Sequence, residues 1–251
     1  MNIKKIITSA ASVLLAVSLT ACSGDSKSYS GGWENGKPQG EGIAYKEIVR
    51  PGSNSIYYAE TGEYVDGTLV HGGTLVVYNG SAYSFCYGNF SGKDKDDKAV
   101  LDGEDGYSEE IYLVGFFMLG TFRGGLLAEG TRLYTQYDKF YLRIGSYNDG
   151  KNLTDGYEII GPDKGNVIIA PDDGEEWEYY EYTNGESRRL SAEEAATVSE
   201  LKDIDADYIL QLALSHSGHK DVLLELADKV AEMSGIDITD TIRYWSEWET
   251  A

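Results

Sequence analysis

The chain has 251 residues, with 21 Lys+Arg against 42 Asp+Glu and a formal net charge of -21. A surface this acidic is repelled by phosphates, which sets nucleic acid aside as a partner and argues against docking on anionic lipid headgroups. Glycine is abundant at 30 residues while proline is only 4, so glycine is used inside the fold and not in proline-glycine linkers.

In chain order, Met1-Asn2-Ile3-Lys4-Lys5 precede an apolar stretch over residues 6–19, and Leu19-Thr20-Ala21-Cys22 closes it. A lysine-bearing start, an apolar centre and small residues before a cysteine make a secretory signal, too short for a comfortable transmembrane helix. The segment resembles a bacterial lipoprotein signal peptide. That resemblance implies removal of residues 1–21, diacylation of the Cys22 sulfur, and a lipid-anchored position in the cell envelope, facing outside the cytoplasm. Two acyl chains, each methylene contributing roughly 0.8 kcal/mol, hold a protein on a bilayer stably. Processing removes Lys4 and Lys5 and no acid, taking the net charge from -21 to -23. Ser23 would permit outer-membrane sorting in a Gram-negative cell, and the outer leaflet of a Gram-positive membrane is equally open. Residues 22–28 form the lipidated cysteine and a polar tether spanning at most roughly 20 Å. With Cys22 carrying lipid, Cys86 is the remaining thiol, so no internal disulfide forms. Its strand-like run Tyr83-Ser84-Phe85-Cys86-Tyr87 makes it a small buried hydrophobe.

Next comes a repeat. The frame Gly-x-aromatic-x-x-Gly occurs at Gly31/Trp33/Gly36, Gly62/Tyr64/Gly67, Gly120/Phe122/Gly125 and Gly145/Tyr147/Gly150, with a contracted copy at Gly88/Phe90/Gly92. Each is followed by more glycine: Gly40 and Gly42, Gly72 and Gly73, Gly130, Gly156. Physically this reads as a β-hairpin module. Glycine sits where the chain reverses or where a neighbouring backbone passes too close for a Cβ, and the ring between the glycines covers the glycine strip of the adjacent hairpin. Strand-type runs such as 74–78, 107–119 and 139–144 lie between the frames, and Asn79-Gly80 reads as a two-residue hairpin turn.

Tyr29-Ser30-Gly31-Gly32-Trp33-Glu34-Asn35-Gly36-Lys37-Pro38-Gln39-Gly40-Glu41-Gly42 resembles a full MORN repeat, Tyr-x-Gly-x-Trp/Phe-x-x-Gly-x-x-x-Gly-x-Gly. The resemblance extends over about residues 29–160, with looser later units and unevenly spaced frame starts. It implies a mainly β fold, an antiparallel meander of MORN-like hairpins in an open single-layer sheet over 29–186, followed by a small helical segment over 187–251. Some MORN proteins are thought to touch phospholipids through basic patches, a mode the charge of this chain opposes. Choline-binding repeats are the competing resemblance, but they are built on Trp cages, and here Trp33 alone sits in a frame.

From Ser191 the pattern changes. Ser191-Ala192-Glu193-Glu194 is a capping box. Residues 207–216 place Ile209, Leu212, Ala213 and His216 on one helical face, stopped by Gly218; residues 219–233 repeat this with Leu223, Leu226, Ala227 and Val230. A last helix carries Ile238, Ile242, Trp245 and Trp248. Helices this short need a packing partner, and capping the open end of the β array is the expected role. Trp245 and Trp248 are the candidate contact surface, since exposure would mean docking and burial would mean a cap.

Chemical motifs are sparse. His71 is expected in the glycine-rich turn 67–73, and His216 and His219 flank a helix end with no cysteine or third histidine beside them, so no metal site and no cofactor is expected. The acidic clusters at 94–97, 102–105 and 172–176 do not fit the calcium loop of an EF-hand, which leaves solvated charge or calcium on an irregular loop. No nucleophile elbow, zincin motif or phosphate-binding loop is found, and no catalytic residue is assigned. The reading is a binding or scaffold module for an envelope protein or a cell-wall glycan. The alternative is an envelope hydrolase with paired carboxylates hidden among the acids.

Overall fold

The computed structural model describes residues 27–49, 52, 54–112, 115–163, 167–168, 176–214, 218–247 and 249–250; Cys22 and the expected signal segment before it lie outside them. Strands β1 (Lys27–Glu34), β2 (Lys37–Ile48), β3 (Ile56–Val65), β4 (Thr68–Asn79), β5 (Ala82–Lys93), β7 (Gly103–Ile111), β8 (Gly115–Arg123), β9 (Leu126–Gln136), β10 (Lys139–Asn148), β11 (Asn152–Pro162), β13 (Glu178–Thr183) and β14 (Glu186–Leu190) follow one another across a single open sheet. The short β6 (Ala99–Leu101) pairs with β5, making 13 strands, all antiparallel to their neighbours. Apart from this sheet, β12 (Val167–Ile168) pairs in parallel with β15 (Glu249–Thr250). The mainly β meander expected from the repeat is therefore present, beginning two residues before Tyr29 and running through Leu190.

Turn chemistry explains the order. Asn35-Gly36, Asp66-Gly67, Gly124-Gly125 and Asp149-Gly150 each have positive φ at both positions, the type I′ geometry whose twist matches that of the flanking strands. Gly36, Gly67, Gly125 and Gly150 thus occupy reversals, as the frame requires. Gly92 does not: in the contracted copy it lies inside β5, which runs on into a longer excursion through β6. A second correction concerns Asn79-Gly80. Asn79 pairs with Ala82, so Gly80-Ser81 form the turn, and the Asn79 side chain accepts a hydrogen bond from the Ser81 amide at 2.9 Å.

The first glycine of each frame joins a ladder. Gly31, Gly42, Gly62 and Gly72 are cross-strand neighbours in succession, continuing to Gly88, and Gly106, Gly120, Gly130, Gly145 and Gly156 continue the row. Register shifts follow at Tyr64, Phe122 and Tyr147, where the ring turns back along its own strand. The Tyr64 hydroxyl donates to the Glu60 carbonyl at 3.3 Å and that of Tyr147 to the Arg143 carbonyl at 2.8 Å. Tyr64, Phe90, Phe122 and Tyr147 are buried together with Leu69, Leu101, Leu127 and Leu153. Trp33 departs from the pattern and is 57% exposed, because β1 is a terminal strand; Tyr29 takes the covering role, its ring lying where a Gly42 Cβ would go.

Helices α1 (Ala192–Ala195), α2 (Ala206–Ala213), α3 (Lys220–Ser234) and α4 (Thr239–Tyr244) follow. The Ser191 capping box forms, and α3 ends at Gly235 in the left-handed conformation. Helix α2 stops before residue 216, and His216 lies outside the described residues. The expected end cap is not what forms. The helices add a second layer on one face, where Leu223, Leu226, Ala227 and Val230 of α3 share a continuous core with Leu75, Phe85, Phe117, Leu133, Leu142 and Ile159, while β1 and β14 keep the two edges. An apolar helix stripe gains more by burying against an apolar sheet face than against an edge of peptide groups. Gly115 is the seat of one contact, since a Cβ there would lie 2.6 Å from the Trp245 ring.

Candidate functional site

Among the described residues, period-two alternation leaves the opposite face of the sheet without helices: neither apolar cluster on it contains a helix residue. Its two halves differ. Over β2 and β3 it is covered by the loop between β5 and β6. The Lys46 ammonium, 6% exposed at the side chain, donates to the carbonyls of Asp96 (2.6 Å) and Asp97, pairs with the Asp97 carboxylate at 3.4 Å and lies over the Tyr58 ring. Tyr58 in turn accepts from the Ala99 amide at 2.9 Å and donates to Glu60. Within the loop, Asp94 accepts from the amides of Asp96 and Lys98, which holds its carboxyl below the ordinary value against a burial penalty that works the other way. This acidic cluster therefore already carries the protein's own cations: Lys46 and Lys93 on the Asp97 carboxylate and Lys98 on that of Asp94. Replacing Lys46 with Met removes the donor to the Asp96 and Asp97 carbonyls and leaves Lys93 on the Asp97 carboxylate. The expected loss is about 2–3 kcal/mol, reduced by the half-exposed Asp97, read as a lower urea midpoint together with faster hydrogen exchange in residues 94–99.

From β8 onward the same face is half-exposed and carries rings. Register brings Phe116, Tyr134, Tyr141 and Ile160 side by side across four strands. Phe116 and Tyr134 stack with centroids 5.6 Å apart, and Tyr134 and Tyr141 at 4.7 Å and 4°. The adjacent row is Met118, Arg132, Arg143, Glu158, Tyr180 and Arg189. The Arg132 guanidinium lies over Phe116 and Tyr134, and that of Arg143 over Tyr134. Both donate to the Lys151 carbonyl at 3.1 Å. Arg143 Nε donates to Glu158 at 2.6 Å, whose other oxygen accepts from Tyr182 at 3.0 Å. Burial and the neighbouring Arg143 charge push Arg132 below its ordinary pKa. At Arg143 burial is again the largest cause and acts in the same direction, but the hydrogen bond and charge of Glu158, with Tyr134 and Tyr182, together raise the value.

Beneath the helices lies Glu109, flanked across the strands by Phe85 and Phe117 and 0% exposed. Tyr107 donates to it at 2.7 Å. Burial raises its carboxyl to about 7, partly offset by hydrogen bonds from Tyr107 and Tyr83.

The sequence candidates fall out as follows. Trp245, expected as a contact surface if exposed, is 8% exposed and packs on Phe117 and Gly115, so it belongs to the core; Trp248 lies outside the described residues. Cys86 behaves as a structural thiol, donating to Ser108 at 3.4 Å with its pKa pushed up to about 11 by burial. His71 lies on β4 instead of in a turn and bonds Asn89 at 3.0 Å, while His219 holds the N-cap position of α3 with no side-chain capping bond and stacks on Tyr87 at 4.0 Å. No group of three metal-ligating side chains occurs among the described residues. The Arg132–Arg143 pair and Glu109 escaped the sequence reading. The alternation Arg132-Leu133-Tyr134 and Tyr141-Leu142-Arg143 was the available signal, but it needs the register of a hairpin whose turn, Tyr137-Asp138, contains no glycine. No family model matches the chain, and no curated protein matches it.

Proposed function

We propose that this is a membrane-anchored extracytoplasmic lipoprotein whose array of MORN-like hairpins serves as a binding or scaffold module, its contact surface being the helix-free face of β8–β13. The observation that carries the reading is the half-exposed row Phe116, Tyr134 and Tyr141 bordered by Arg132 and Arg143 on a continuous sheet. Stacked rings on a rigid surface supply contact area at little conformational cost. Lipid on Cys22 would place β1 only a short tether from the bilayer, and the acidic surface would keep the sheet off anionic headgroups. The hydrolase alternative has weaker support. Glu109, whose pKa suits a general acid, is sealed between the sheet and the helices, and Glu158 is held by Arg143 and Tyr182.

The test is a pull-down with the 23–251 chain, which contains every described element, against envelope extract and purified peptidoglycan. Retention of wall glycan or of a discrete envelope protein by the wild type, and its loss in a Tyr134→Ser/Tyr141→Ser variant, is the expected result. Hydrolysis of wall material without stable retention would reverse the ranking. The anchor has its own measurement: Cys22→Ser in the native host should release the protein from membranes and abolish acylation, and unchanged fractionation would refute it.

A further inference from the structure

We propose that the helix-free face of β8–β14 binds a carboxylate-bearing glycan, with the Phe116–Tyr134–Tyr141 ladder as the floor for sugar rings and the adjacent arginines and lysine as the carboxylate-recognising groups. This rests on the binding-module reading above and narrows it to one ligand class. The first argument is charge. Acids outnumber bases two to one over the whole chain, yet this face gathers Arg132, Arg143, Lys139 and Arg189 against Glu158 and Glu178, with Glu110 at its β7 margin. A local cationic excess on a protein otherwise repelled by anions selects an anionic partner by position.

The second argument is the kind of cation. The Arg132 guanidinium, in a residue 9% exposed, lies 5.2 Å from the Tyr134 ring centroid and that of the half-buried Arg143 lies 5.4 Å from it, and a guanidinium is a planar fork that matches a carboxylate. Arg189 and Lys139, 64% and 47% exposed at their side chains, extend the charge outward around Glu178. The third argument is polar capacity: among the described residues the hydroxyls of Tyr134 and Tyr141 have no hydrogen-bond partner, whereas those of Tyr180 and Tyr182 are engaged by Glu178 and Glu158. Rings with free hydroxyls beside paired cations suit a polymer that presents sugar hydroxyls and carboxylates along one extended line. Four strands at roughly 4.8 Å each give that line a length of two to four sugar units.

The experiment measures retention of the 23–251 chain on purified peptidoglycan, on the same material with its carboxyls amidated by carbodiimide, and on a neutral N-acetylglucosamine oligomer. Expected are retention on the untreated wall, a loss of at least tenfold on the amidated wall, and a decline from 50 to 500 mM NaCl. The exposed pair Lys139→Gln/Arg189→Gln should weaken retention several-fold without touching the buried contacts. Arg143→Gln should weaken it further, and a Glu186→Gln control on the outer hairpin should leave it unchanged. Equal retention on amidated wall or on the neutral oligomer overturns the carboxylate assignment while leaving wall binding intact. Retention of a phosphate polymer in place of peptidoglycan overturns it too, and no retention of any wall material by the wild type overturns both readings.

Discussion

Gly145→Ala is expected to prevent stable folding. Gly145 and Gly156 face each other across β10 and β11, and a Cβ on Gly145 would lie 2.1 Å from the Asp155 carbonyl oxygen, with Gly145 itself at φ 143°. The clash is with backbone on a strand paired on both sides, so relief requires displacing the ladder and not merely rotating a side chain. A loss above about 4 kcal/mol belongs to this class of strain, a large share of the roughly 5–15 kcal/mol that holds a domain together. The control is Gly36→Asn. Gly36 also has positive φ, 77°, but a Cβ there meets nothing within 4 Å, and Asn tolerates the left-handed region, so the cost stays within about 1 kcal/mol. Urea denaturation of both variants separates the two glycine roles. A Gly145→Ala protein with a midpoint close to the wild type would show that the ladder is not a close-approach device.

Glu109→Gln is expected to stabilise the protein above neutral pH and to change little below pH 5. The folded value of about 7 lies above the ordinary 4.5 because burial penalises the charged form. A carboxyl raised in this way leaves stability intact below about 4.5 and withdraws it as pH rises through about 7, since the unfolded chain gives up its proton more readily. The shift corresponds to roughly 3 kcal/mol withdrawn by pH 8. Around the carboxyl stand the hydroxyls of Tyr107 and Tyr83, with the His219 ring 5.6 Å beyond that of Tyr107; burial lowers the pKa of His219, keeping it neutral over the upper part of the range. The general acidity of the chain also weakens the fold at high pH, and it does so in both proteins. The measurement is therefore the difference between the wild-type and Gln profiles from pH 4.5 to 8. Parallel profiles would mean that Glu109 does not titrate in this window.

These two residues mark the limits of what could be read in advance. Gly145 was legible because its frame recurs, and recurrence turns a local backbone need into a visible pattern. Trp33 matched the same frame and came out exposed, because the pattern carries no information about which unit ends the array. Trp245 was expected on the last helix and sits just past it as the C-cap of α4, but its burial depended on Gly115, far earlier in the chain, leaving space for its ring. Glu109 sits in an acidic run, Glu109-Glu110, and nothing local says that one carboxylate faces solvent and the other lies under α3 and α4.

What the amino-acid order determined alone was the repertoire of local geometry. Reversals at Gly36, Gly67, Gly125 and Gly150, the Ser191 cap, the Gly235 stop and the buried stripe of α3 each depend on a few adjacent residues, whose φ preferences and side-chain reach act before any distant contact forms. Tertiary structure alone decided which face the helices cover, that Lys46 fills the acidic loop, and that Arg132 meets Arg143 beside a stacked column of rings. Those outcomes depend on register between strands and on docking of segments far apart in the chain, such as Thr241 against Gly80, 161 residues earlier. A one-residue slip would exchange the two faces of a strand, so surface chemistry is defined only once the whole sheet has paired.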